Sequence, residues 1–230
     1  MNLRSSRTFP FISKVMNIDL IGLCVDSFFG KKIQKVQVPP INFTAVKVAQ
    51  FSFARMTRAD PIVHVEMAST GEVACFGEDV EEAFLKSELA VGGKIPKRGV
   101  FISLGTRKNK IGFIDSARKL YTLGIPIYST EKTAMFFFKN GIKTKKLYKL
   151  YERKSPNVLE LFRNGQIDLA INIVDSYTRR IVRDDYSIRR SAIDLNIPLF
   201  TNMQKAELFV NAIYTKDINS LSIKAWGEYI

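Results

Sequence analysis

Between residues 99 and 213 two hydrophobic patterns alternate along the chain. Near-continuous apolar runs at 100–104, 125–128 and 168–174, with shorter strand-like segments at 144–148 and 198–200, predict strands of the kind covered on both faces. Segments at 111–123, 130–139, 157–163, 185–195 and 204–213 instead place an apolar residue at every third or fourth position. They predict helices. In the first of them Phe113, Ala117 and Leu120 share one face. Regular alternation of the two patterns implies an α/β fold, a Rossmann-like parallel sheet with helices on both faces and right-handed crossovers.

Upstream the pattern differs. An apolar-periodic helix is predicted at 18–29, ended by Gly30, and Pro39-Pro40 forces an extended connector over 36–43. Three strand-like runs follow at 45–53, 62–67 and 72–76, separated by turns at Asp60-Pro61 and 69–71, which makes an antiparallel patch the simplest arrangement. Asp79 then caps a helix over 80–90, with Glu81 and Glu82 in its first turn where the dipole favours acids. The Gly/Pro/Lys-rich stretch from Gly92 to Gly99 is a composition break, so two units are expected, 1–93 and 94–230. Residues 214–230 carry no readable pattern.

The length of 230 residues and a 46% hydrophobic share fit one large or two small globular domains. No apolar run approaches the roughly 20 residues of a membrane span, and the first residues lack the apolar stretch of a secretory signal. No membrane partner is therefore expected, and the cytoplasm is the expected compartment, with an organelle as the alternative. Cys24 and Cys75 lie among apolar residues without partners at metal-ligand spacing, so both are expected as buried free thiols.

The net charge of +13 is unevenly placed. Residues 105–154 hold 13 basic and 3 acidic side chains, whereas residues 155–230 hold 9 of each. Such a concentration attracts anions, whether small ligands or a nucleic-acid backbone.

At its centre lies 125–134, Ile-Pro-Ile-Tyr-Ser-Thr-Glu-Lys-Thr-Ala. Thr130 is placed to cap the following helix, and Thr133 occupies the position where a capping box would carry Glu or Gln. Two hydroxyls thus meet at an end where free N–H groups favour an anion. With Lys110 and Lys149 to either side, the stretch reads as a phosphate or carboxylate pocket; the plainer alternative is a capping Thr130 and an idle Thr133. Thr130, Lys149 and Asn172 fall at or just after strand ends, where open α/β sheets bind ligands. His64, alternating with Val63 and Val65, reads as structural, and Phe136-Phe137-Phe138 as core. Glu66 and Glu72 form no evident metal set. Arg179, Arg180, Arg183, Arg189 and Arg190 read as a solvated face, the last two facing a neighbouring domain in the alternative.

Three blocks resemble the carboxyl-terminal part of the carbamoyl-phosphate synthase large chain. Asn2-Leu-Arg4-Ser-Ser-Arg7-Thr-Phe-Pro-Phe-Ile-Ser-Lys14 resembles the end of that family's second ATP-grasp site. Phe51-Ser-Phe-Ala-Arg55 through Val65-Glu-Met-Ala-Ser-Thr-Gly-Glu-Val-Ala-Cys-Phe-Gly77 resembles the segment after it, and 99–213, including Ile188-Arg189-Arg190-Ser-Ala192, its methylglyoxal-synthase-like allosteric domain. The resemblance implies a small α+β ATP-grasp remnant followed by that domain. It assigns Asn2 to Mg²⁺ and Arg4 and Arg7 to ATP phosphates in the complete enzyme, and Lys110, Thr130, Thr133, Lys149 and Asn172 to an effector. The family's paired metal-binding glutamates would precede Asn2, so no Mg or ATP cofactor is expected for this chain alone. The remainder of the large chain and a glutamine amidotransferase subunit are the implied partners.

Relatives controlled by N-acetylglutamate carry tryptophan where this chain has Lys149, which favours a nucleotide or phosphoribosyl effector. Val174, where nucleotide binders have threonine, and Asp175, an added negative charge, depart from that pattern. A stand-alone methylglyoxal-synthase-type lyase is the alternative, with Asp175 the nearest acid. A nucleic-acid binder is disfavoured because Tyr148 and Tyr151 make a thin stacking platform.

Overall fold

The computed structural model describes residues 6–53, 55–62, 71–174 and 179–229, with the side chains of 179–182 left aside. Asn2, Arg4, His64, Glu66, Asp175 and the expected strand over 62–67 lie outside these residues.

Five parallel strands form the main sheet: β3 (Val100–Leu104), β4 (Ile127–Thr130), β5 (Lys145–Leu147), β6 (Leu169–Ile173) and β7 (Leu199–Phe200), in the order β5-β4-β3-β6-β7. The chain winds outward from β3 to β5, then returns to the other side of β3. The reversal places a topological switch point between β3 and β6, where carboxyl-end crevices open in such sheets.

Pleat alternation sorts the side chains. Val100, Ile102 and Leu104 pack with α5 (Ile114–Thr122), α6 (Glu131–Lys139) and α9 (Met203–Thr215). Phe101, Tyr128 and Ala170 pack on the opposite face with α7 (Val158–Arg163) and α8 (Arg179–Asp194). Both faces are thus covered, as the apolar runs predict.

Phe113, Ala117 and Leu120 are fully buried, but the helix expected over 111–123 is two pieces, α4 (Arg107–Gly112) and α5, broken at Phe113. Thr106 starts the first piece, its hydroxyl accepting from Asn109 N at 3.2 Å. The capping signal at Thr106 lies five positions before Ile111, where the apolar periodicity becomes visible.

Upstream, α1 (Thr8–Met16) precedes the expected helix, which is shortened to α2 (Leu20–Phe28). Strands β1 (Thr44–Gln50) and β2 (Gly71–Gly77) pair antiparallel. Helix α3 (Val80–Ala90), capped by Asp79 through Glu82 N, packs on both strands and on α9. Val48, Phe84 and Leu85 join the same apolar cluster as β3 and α9, so the core is continuous across the connector.

That connector is tied down at its far end. The Asp168 carboxylate accepts from Lys97 N, Arg98 N and Gly99 N at 3.0 to 3.2 Å. A Cβ on Gly99 would lie 2.6 Å from the Tyr128 ring and 2.8 Å from the Gln166 carbonyl, so only glycine fits where the connector enters β3.

Two sequence expectations are corrected. Cys24, on α2, which buries no residue, is exposed, and Cys75, on β2, is half-buried. Phe137 is buried, but Phe138 points outward, since consecutive helical residues cannot share one face.

Candidate functional site

A parallel strand covered on both sides should be apolar throughout, yet three adjacent strands break that rule near their carboxyl ends. Ser103 in β3 is paired in register with Asn172 in β6, and Thr130 ends β4 with its Oγ1 3.4 Å from Ser103 Oγ. Thr130, Ser103 and Asn172 therefore form a buried polar row across β4, β3 and β6. Buried hydroxyls and amides cost free energy unless partnered, so a row of them marks a place with chemistry to do. Ser103 escaped the sequence reading; its only signal is a single hydroxyl inside the run Val-Phe-Ile-Ser-Leu.

The capping expectation for Thr130 needs correction. Thr130 has N-cap geometry but makes no side-chain capping bond, its hydroxyl turning to Ser103 instead. The Thr133 hydroxyl accepts from Leu104 N at 3.3 Å and fastens α6 to β3. Thr130 is 4% exposed and Thr133 0%. Neither hydroxyl is presented to solvent, and that of Thr133 is already engaged with Leu104.

Lys110 is 7% exposed, its ammonium directed to the carbonyls of Gly105 at 3.0 Å and Thr106 at 3.4 Å. Burial, and then the like charges of Lys132 and Lys149, hold it below the usual lysine range. No carboxylate among the described residues pairs with it. A desolvated ammonium faced by two further cations is an unsatisfied demand for negative charge. Lys149 opens the 3-10 turn after β5, its backbone N donating to Glu152 at 2.6 Å. The structure thus brings Lys110 and Lys149 within electrostatic reach of one another and adds Lys132.

Acids stand behind the row on α8. Asp185 Oδ1 accepts from Asn172 Nδ2 at 3.3 Å. Asp184 accepts from Tyr151 N at 3.2 Å, while its Oδ2 is buried without a hydrogen-bond partner among the described residues. Burial pushes the Asp184 carboxyl above its usual value, with Lys149 and backbone N–H groups opposing. The sequence reading missed both acids because they sit in Arg-Asp-Asp-Tyr, an ordinary exposed-helix pattern.

The solvated-face expectation fails for two arginines. Arg189 is 1% exposed and Arg190 is buried; both clamp the 53–60 segment to α8, whereas Arg183 is exposed. A cavity of about 740 Å³ lies elsewhere, between β1, α3 and β7, and does not touch the polar row.

Comparison with known proteins gives the following matches. Residues 112–201 match the MGS-like domain family. The chain is 42% identical over 217 residues to the multifunctional protein pyr1-3 of Dictyostelium discoideum, covering 92% of this chain and 10% of that protein. It is 37% identical over 240 residues to carbamoyl-phosphate synthase (ammonia), mitochondrial, of Homo sapiens, covering 99% and 16%. Multifunctional protein ura1 of Schizosaccharomyces pombe is 40% identical over 222 residues, covering 92% and 10%.

This chain matches a carboxyl-terminal fragment of carbamoyl-phosphate synthase with an MGS-like domain.

It spans between a tenth and a sixth of the length of these relatives. The polar row and the lysine cluster are built within and beside the matched MGS-like region. No group of three or more His, Cys, Asp or Glu side chains among them is placed to hold a metal. Arg7, an expected phosphate ligand, lies 3.3 Å from Glu72, which also takes Lys47 at 2.9 Å. Asn2 and Arg4, the other residues of that expectation, lie outside the described residues. No single helix among them is long and apolar enough to cross a membrane; α1 and α2 pass together on length and composition, bent by 115°.

Proposed function

We propose that this chain is the carboxyl-terminal regulatory portion of a carbamoyl-phosphate synthase large chain, and that it binds an anionic effector, a nucleotide or phosphoribosyl compound, at the carboxyl ends of β3, β4 and β6. The observation that carries this reading is the buried Lys110 ammonium, without a carboxylate partner among the described residues and beside Lys132 and Lys149. An incoming phosphate would supply the missing charge, with Lys110 and Lys149 as first contacts. Thr130, Thr133 and Asn172 would join as the site adjusts. Synthesis of carbamoyl phosphate, with Mg²⁺ and ATP, belongs to the rest of the large chain and a glutamine amidotransferase subunit. Isolated, the chain is inactive; its setting is cytoplasmic, with an organelle the alternative.

Calorimetric titration with UMP, UTP, IMP, phosphoribosyl pyrophosphate and N-acetylglutamate tests the reading. A phosphorylated compound should bind wild type and lose affinity in Lys149→Ala. Tight binding of N-acetylglutamate alone would overturn the ligand class.

One observation favours testing a lyase as well: Asp184 puts a carboxyl of raised pKa beside Lys149. Methylglyoxal formation from dihydroxyacetone phosphate, abolished by Asp184→Asn, would show that activity. No formation leaves the regulatory reading standing.

A further inference from the structure

The 53–60 segment, the approach to Asp60-Pro61, is held against α8 by three side chains. Tyr186 Oη donates to the Arg58 carbonyl at 2.9 Å. Arg190 Nη1 donates to the carbonyls of Phe53, Met56 and Ala59 at 3.1, 3.2 and 3.4 Å, while Asp194 anchors the other side of the guanidinium. Arg189 forks onto Asp60, Nε to Oδ1 at 2.7 Å and Nη2 to Oδ2 at 2.5 Å. Within the segment Arg58 sits at φ 68°, a left-handed conformation that L-residues hold only when their surroundings enforce it.

The third nitrogen of Arg189 gives this clamp a meaning beyond packing. Nη1 donates to Asn172 Oδ1 at 3.0 Å, and the other end of the same amide donates to Asp185. One guanidinium therefore grips the polar row with one nitrogen and the upstream unit with the other two. A buried guanidinium cannot lose a carboxylate partner cheaply. Movement of Asn172 must pull on Asp60, and movement of Asp60 must release Asn172.

From this geometry we infer that Arg189 is a positioning residue that couples occupancy of the site around Asn172 to the conformation of the 53–60 segment. The inference rests on the effector reading above and adds its route. The segment, strained at Arg58 and held from α8, is the two-state element; Asn172, Arg189 and Asp60 are the link. Because binding coupling is reciprocal, breaking the Asp60 end must lower effector affinity by the factor with which the effector tightens the segment.

Hydrogen exchange of the peptide covering 55–62 tests this, in the 230-residue chain with and without saturating UMP, IMP or phosphoribosyl pyrophosphate. Affinities are measured in parallel for wild type, Asp60→Asn and Asp60→Glu. A bound probe is expected to change exchange of this peptide by about 5-fold or more, the lower end of ordinary allosteric coupling. Asp60→Asn, which touches no pocket residue, should abolish the change and weaken binding by a similar factor, and Asp60→Glu should restore part of both. A probe that binds with Lys149 dependence while the wild-type peptide exchanges unchanged would overturn the coupling and leave the effector site intact. Failure of every probe to bind would remove the effector reading, and the coupling with it. The wild-type comparison stands even if Asp60→Asn is too unstable to study.

Discussion

The parallel-sheet unit and the first two helices carry similar amounts of apolar sequence and use it in opposite ways. Every position of β3 and β6 is buried, and clusters on both faces of the sheet close over them. Helices α1 and α2 bury no residue; Phe28 and Phe29 are 86% and 79% exposed, with Ile21 and Val25 open beside them. An apolar pattern therefore promises burial without saying against what. The sheet finds its cover within the chain, whereas the α2 face has the character of a surface built for contact.

The sharpest way to break this contrast is to delete side chains on both sides of it. Phe101→Ala, beneath α7 and α8, is expected to cost about 3–5 kcal/mol in urea unfolding. Phe28→Ser should stay within about 0.5 kcal/mol. A large loss for Phe28→Ser would mean that α2 is packed in solution.

Next in size is the connector. Asp168→Ala orphans three backbone N–H groups and should cost about 1–3 kcal/mol. Two acids of the sheet unit should also separate by pH. Burial pushes Asp168 upward, but its N–H donors outweigh that and hold it below the usual carboxylate range. Its stabilising share is thus present above its unfolded pKa and is lost as pH falls through the folded one. Asp184 is held above its usual value, so its charged form penalises the native state at neutral pH and the penalty fades on acidification. Thermal unfolding from about pH 7 down to about pH 2, past the range of a depressed carboxylate, should show Asp184→Asn stabilised at the neutral end and converging with wild type at the acid end. Asp168→Asn should be destabilised at the neutral end, converging from below. Parallel curves would contradict both environments.

The smallest effect concerns the thiols. Cys24 should react with a maleimide faster than Cys75, with little change in stability.

Much of the sheet was legible because strand and helix periods differ so plainly there. Asp79 caps as expected, and β3 falls on its expected residues. Helix α1 was not legible: Thr-Phe-Pro-Phe-Ile-Ser begins with a proline-containing turn and has no buried face to impose a period. The break at Phe113 was hidden because the apolar period continues through it.

Of the candidate site, strand-end logic pointed to Thr130, Lys149 and Asn172, and the basic flanks to Lys110. It missed Ser103, which only register reveals, and Lys132, Asp184 and Asp185, which local sequence presents as surface. Arg189 shows the limit most clearly. Its neighbours read as a charged helix face, and only an aspartate 129 positions away in sequence makes its burial possible.

The central claim is that the lysine cluster awaits an anion, and proton linkage measures this directly. Bound phosphate should raise the depressed Lys110 pKa, so titration with UMP or IMP at alkaline pH, in buffers of different ionisation enthalpy, should show proton uptake. In Lys149→Ala the affinity should fall about tenfold or more, the worth of one charge-assisted contact. Binding without proton uptake and with unchanged affinity in Lys149→Ala would contradict the claim.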